Sequence, residues 1–145
     1  MKTLLLGAAL LLAACASDPV PPSGDTLAVG TWGGPDAGVI VTEPGAHVHI
    51  GCTNGDIPGP VPLSADGSFD VAGSYLLKAY PVAMGPTMPA RFTGRVEGRT
   101  LTFSVTVTDT IEHRTVVLGP AEVKFGRDPQ MPNCPICTMP EMETK

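Results

Sequence analysis

The sequence predicts an all-β fold: a small antiparallel meander barrel of about eight strands. Apolar and polar residues alternate with a period of two through most of the chain, and Pro or Gly interrupts each run. After residue 25 no segment carries an apolar stripe of helical period. Each candidate strand offers a single apolar face. Antiparallel strands with one such face bury it by closing on themselves, which also removes exposed edges. A two-sheet sandwich is the alternative, because it buries the same faces. With one Trp, two Tyr and four Phe, the core must be built mainly of Val, Leu, Ile and Ala.

The elements follow in chain order. Leu27–Trp32 opens the domain. Gly38–Glu43 and Ala46–Thr53 form a hairpin around Pro44-Gly45, pairing Val41 with Val48 and Val39 with Ile50. That register puts Val39, Val41, Val48, Ile50 and Cys52 inside and leaves Thr42, His47 and His49 facing water. A second hairpin runs from Val61 to Tyr75, with Val61 and Leu63 sharing a face with Phe69 and Val71 across the loop Ala65-Asp66-Gly67. The third hairpin has the cleanest alternation. Arg91–Val96 and Leu101–Thr108 place Phe92, Gly94, Val96, Leu101, Phe103, Val105 and Val107 inside, around an even loop containing Glu97-Gly98. Glu112–Leu118 and Ala121–Phe125, joined across Gly119-Pro120, make the last pair. These are nine candidates, and the short, Pro62-bearing piece around Val61–Ser64 is the one to discount.

The flanks carry different information. Lys2 followed by an apolar run from Leu4 to Ala14 reads as a secretory signal, too short to cross a bilayer. Leu12-Ala13-Ala14-Cys15 resembles the lipobox of bacterial lipoproteins. In that family the signal is removed just before the cysteine, which then receives a diacylglycerol and an N-terminal acyl chain. The resemblance implies a signal peptide at 1–14, a lipidated Cys15 with a flexible tether at 15–25, a β-barrel-like domain at 26–137 and a flexible tail at 138–145. It also implies a lipid-anchored cell-envelope protein. Ala16 follows Cys15 where an Asp would mark inner-membrane retention, so the implied location is the outer membrane, facing the periplasm or the surface.

Charge limits the partners. Loss of Lys2 takes the formal balance from −5 to −6, and the remaining Lys and Arg are scattered among fourteen acidic residues. No basic patch exists for nucleic acid or for electrostatic help at a membrane, so attachment must come from acyl chains. An envelope protein partner is compatible with these features, and nothing in the sequence names it.

Two further resemblances bear on fold. Gly30-Thr31-Trp32 is similar to the Gly-x-Trp that opens lipocalin- and avidin-type barrels, where the Trp plugs one end. It implies a calycin-like small-ligand carrier as one alternative. Trp32-Gly33-Gly34, Cys52-Thr53-Asn54-Gly55, Asp66-Gly67-Ser68-Phe69 and Gly73-Ser74-Tyr75, with the late Cys134, resemble a group of small bacterial envelope proteins. That resemblance implies a shared fold and no particular chemistry.

With Cys15 taken by lipid, Cys52, Cys134 and Cys137 remain in an oxidising compartment and allow one intramolecular disulfide. Cys52 with Cys134 or Cys137 would staple the tail to the first hairpin. Cys134-Pro135-Ile136-Cys137 also has the Cys-x-x-Cys spacing of thiol–disulfide oxidoreductases, but no helix follows it to lower a thiol pKa. A copper or zinc site is the third option. His47 and His49 share an outer face, Cys134 and Cys137 lie in a Met-rich tail, and imidazole and thiolate suit these metals. The primary expectation is no cofactor. There is no Gly-x-Ser-x-Gly elbow, Walker loop or His-Glu-x-x-His, so the expectation is a non-enzymatic binding or structural module. Asp66 and Asp70 read as turn residues beside a hairpin loop, and His113 as a polar strand end. Arg91, Arg95 and Arg99 are placed where an anion could meet them.

Overall fold

A computed structural model of the chain describes residues 24–77 and 85–132. Cys15, Cys134, Cys137, the signal, most of the tether and the tail therefore lie outside the described residues. The eight strands are β1 (Gly30–Gly34), β2 (Ala37–Thr42), β3 (Gly45–Ile50), β4 (Thr53–Pro58), β5 (Ser68–Leu76), β6 (Met88–Glu97), β7 (Thr100–Asp109) and β8 (Arg114–Phe125). They form a closed barrel in meander order, with every neighbouring pair antiparallel. The sandwich alternative is set aside by the β1–β8 pairing of Trp32 with Phe125 and Gly33 with Lys124.

The expected inner faces are largely present. Val39, Val41, Val48, Phe92, Leu101, Phe103, Val105 and Val107 are buried, with Ile50, Val71 and Val96 packed against them. The β6–β7 hairpin keeps the expected inward residues, with Val96 opposite Leu101 and Phe92 opposite Val105. Its two-residue loop is Gly98-Arg99, however, and Glu97, expected in the loop, pairs with Thr100. Aromatic rings fill the barrel by lying against glycines, Phe69 over Gly94, Phe92 over Gly73 and Tyr75 over Gly55. A side chain at any of the three would collide with the ring, so few aromatics suffice to pack a small interior.

Several expectations require correction. The β2–β3 loop is Glu43-Pro44 rather than Pro44-Gly45, so Val39 faces Val48 and Val41 faces Ala46. The register moves by two residues relative to the predicted one, which preserves the faces because side chains alternate with period two. Strand β3 ends at Ile50, and Cys52 lies half-buried in the Gly51-Cys52 turn instead of on an inward strand position. Beyond that turn comes β4, unforeseen because Asn54, Gly55, Asp56 and Pro58 are poor strand formers. It is held by six pairings to β3 and three to β5.

The segment Val61–Ser64 forms no ladder with β5 and meets it only at the turn, where Ser64 N–H donates to Ser68 O (2.8 Å). Val61 is buried, and Leu27 N–H donates to its carbonyl (2.8 Å), while Thr26 bridges Pro62. Lastly, residues 114–125 form one strand instead of two, with a bulge that places Phe103 opposite Ala121 and Val105 opposite Leu118. The extra residue falls at Gly119-Pro120, where Pro has no N–H to lose from the ladder.

A strap leaves the end of β8 and crosses the outer face of β1 and β2. Gly126 N–H donates to Thr31 O (2.8 Å), and Gln130 bonds both Gly34 O (3.0 Å) and Asp36 N (2.9 Å). Gly33 and Gly38 are the seats. A Cβ on Gly33 would strike the Arg127–Asp128 backbone, and one on Gly38 the Pro129 ring. Gly38→Val should therefore lift the strap, costing about 1–3 kcal/mol as an overpacked site. Trypsin should then cut after Arg127 faster than in the parent chain. Unchanged digestion and an unchanged urea midpoint would contradict this packing.

Candidate functional site

Strand alternation sends His47 and His49 outward from β3, because Ala46 and Val48 between and beside them are buried. The β3–β4 register places Asp56 directly opposite His47. Asp56 Oδ1 lies 2.6 Å from His47 Nδ1, and His47 Nε2 lies 2.8 Å from His49 Nε2. The rings meet edge to face, with centroids 4.6 Å apart. A carboxylate oxygen accepts, so His47 Nδ1 carries a proton, and in the neutral ring Nε2 then presents a lone pair. Burial, with help from the neighbouring His47, holds the His49 pKa below the usual histidine value. The neutral form of His49 is therefore favoured relative to an unfolded histidine.

The surroundings are shaped by two neighbours. On one side a surface depression of about 620 Å³ is bordered by Ile40, Thr42, Pro44, Asp56 and Ser74 beside His47. On the other, Gly38 is the cross-strand partner of His49 and carries Pro129 of the strap on top. Among the described residues no group of three or more His, Cys, Asp or Glu side chains is arranged to hold a metal ion. What the described residues offer is a pair of imidazoles with a carboxylate behind one of them. Such a pair can relay a proton, bind a cation through two nitrogens, or donate to an anion when protonated.

The remaining sequence candidates separate clearly. Asp66 is a turn residue, accepting from Ser68 N (3.1 Å) and Ser68 Oγ (2.6 Å). Asp70 forms a two-pronged pair with Arg91 across the β5–β6 ladder, one arm at 2.8 Å. Arg95 meets Glu97 at 3.2 Å, and Arg99 Nη2 donates to Phe125 O at 2.9 Å. These guanidiniums already hold partners, so an anion would have to displace them. The exposed ion pairs contribute little to stability. His113 lies in the turn before β8 rather than on a strand.

Two buried polar groups went unnoticed in the sequence. Asp109 is 4% exposed and caps the turn, accepting from Ile111 N (3.0 Å) and Glu112 N (2.9 Å). The Glu112 N–H is the largest cause holding its carboxyl below the usual range, with Arg114 adding to it. The Tyr75 hydroxyl bonds Thr53 Oγ1 at 2.8 Å, and burial raises its pKa.

Cys52 is not without a partner. The turn that carries it is tied to the strap through one residue. Gly51 N–H donates to Asp36 O (2.7 Å), and Asp36 N–H donates to Gln130 O (2.9 Å). The chain leading to Cys134 and Cys137 thus approaches the Cys52 end of the barrel, although both tail cysteines lie outside the described residues.

No family model matches this chain, and no curated protein or solved structure is significantly similar to it.

Proposed function

We propose that this chain is a lipid-anchored protein of the bacterial cell envelope whose small barrel is a non-enzymatic binding or structural module. The carrying observation is the lipobox-like Leu12-Ala13-Ala14-Cys15, followed within about a dozen residues by the first residues of the barrel. Cys15 is the lipid-bearing residue, the membrane is the partner through its acyl chains, and the outer membrane is the location. The acidic, scattered charge supports a partner other than nucleic acid. One disulfide, from Cys52 to Cys134 or Cys137, ties the tail to the β3–β4 turn. Its support is the short path from Gln130 through Asp36 to Gly51. The four residues from Gln130 to Cys134 can span up to about 14 Å.

Cys15→Ala should release the protein from membranes, because neither a polybasic segment nor a second apolar run is present to replace the lipid. Sedimentation after a high-salt wash checks this. A signal-cleaved variant that still pellets with membranes would end the lipoprotein reading.

Metal binding is a second reading, favoured by a separate observation: the meeting of His47 and His49 at 2.8 Å. The calycin-type carrier is weaker support for this chain, since Trp32, Tyr75, Phe92 and Phe103 occupy the barrel interior that a ligand would need.

A further inference from the structure

The His47–His49 pair differs from two polar strand residues in how its nitrogens are aimed. Both Nε2 atoms converge, at 2.8 Å, and the opposite nitrogen of His47 is held by Asp56 at 2.6 Å. Metal-ligating histidines characteristically hand their other ring nitrogen to a carboxylate, which fixes the tautomer and the ring orientation. Two imidazole ligands on a tetrahedral zinc, each at 2.0–2.1 Å, have nitrogens roughly 3.3 Å apart. The observed separation needs to open by only about half an ångström to reach that value. The His47 side chain is 40% exposed, so such a movement meets little resistance.

We propose that His47 and His49 ligate, through their Nε2 atoms, one divalent cation of the Cu(II)/Zn(II) class, with Asp56 as the positioning residue. This rests on the metal-binding reading of the pair and is independent of the lipid anchor. On binding, the His49 proton that lies on Nε2 toward His47 moves to Nδ1 through solvent, which frees both Nε2 lone pairs for the cation. The ligand set is imidazole without carboxylate, which suits borderline cations and excludes Mg(II) and Ca(II). Among first-row ions Cu(II) binds tightest by the usual affinity order. Two protein ligands leave the remaining coordination positions open to water or an exogenous ligand, and a depression of about 620 Å³ lies beside His47. This sets the site apart from a closed structural zinc site, which has four protein ligands.

The test uses the full chain in detergent, titrated with Cu(II) and separately with Zn(II) against a weak competing chelator. One equivalent of Cu(II) should bind with an electron paramagnetic resonance spectrum showing coupling to two imidazole nitrogens. His49→Ala should abolish that two-nitrogen pattern. Asp56→Asn should weaken binding about tenfold or more. It should also shift the His47 imidazole 15N signals from a single Nδ1–H tautomer toward a mixture, which a purely structural role would not do. The double variant Cys134→Ser, Cys137→Ser should keep both the stoichiometry and the spectrum. Circular dichroism confirms that each variant keeps its β signature. If His49→Ala loses the metal while Asp56→Asn binds as the parent does, the role given to Asp56 is overturned and the metal reading stands. If neither ion binds, or if binding survives His49→Ala and disappears with the tail cysteines, the site and the reading fall together.

Discussion

Trp32→Ala should remove about 3–5 kcal/mol of stability, the range for deleting a large buried aromatic. Trp32 is fully buried, its Nε1 donates to Ala28 O at 3.1 Å, and its ring meets Phe125 edge-on with centroids 5.0 Å apart. Position matters more than size here. The barrel closes between β1 and β8 through two residue pairs, and one of them is Trp32 with Phe125. Truncation removes the side chain that seals the seam and leaves the Ala28 carbonyl without its donor. A small domain has ~5–15 kcal/mol in total, so the loss is a large share of it. Trp32→Phe keeps an aromatic contact with Phe125 and should cost clearly less. Urea unfolding of the three chains checks both. Equal midpoints for Trp32→Ala and the parent would show that the seam does not depend on this residue.

Cys52→Ser should cost a comparable amount under oxidising conditions, about 4 kcal/mol by the chain-entropy estimate for a loop of roughly 80 residues. The proposed bond joins the β3–β4 turn to a tail cysteine, so it constrains nearly the whole barrel in the unfolded chain. A reducing agent should bring the parent down to the level of the variant and leave the variant unchanged. Of Cys134→Ser and Cys137→Ser, one alone should reproduce the loss. Peptide mapping that finds Cys134 bonded to Cys137, with an unaltered melting temperature for Cys52→Ser, would remove the staple and restore a redox function as a candidate.

What the sequence revealed depended on how much of each strand's identity is local. The faces of the β6–β7 hairpin were legible, since alternation runs from Phe92 to Val107 across a short turn, while its strand ends extend to Met88 and Asp109. In β2–β3 alternation fixed the faces but could not distinguish registers two residues apart, which bury the same side chains. Strand β4 was invisible because its partners specify it more than its composition does: Gly55 and Ile57 are its buried residues. In β8 the inward set changes parity between Leu118 and Ala121, and a bulge and a turn produce the same break in a one-dimensional pattern.

The candidate site was half legible for the same reasons. His47 and His49, two apart on one strand, announce a shared face. Asp56 joins them only through the pairing of β3 with the strand that went unrecognised. Gly33 and Gly38 make room for the strap that lies on them. A glycine that makes room for a distant backbone leaves no local trace in sequence.

The lipid anchor is tested most directly by the state of Cys15 in the protein taken from membranes. Intact-mass measurement of detergent-extracted protein, with peptide sequencing of its N-terminal fragment, reads that state. The expected result is a chain beginning at Cys15, heavier than residues 15–145 by a diacylglycerol and an amide-linked acyl chain. A chain of unmodified residue mass, whether it begins at Met1 or after a cut elsewhere, would contradict the anchored-barrel account.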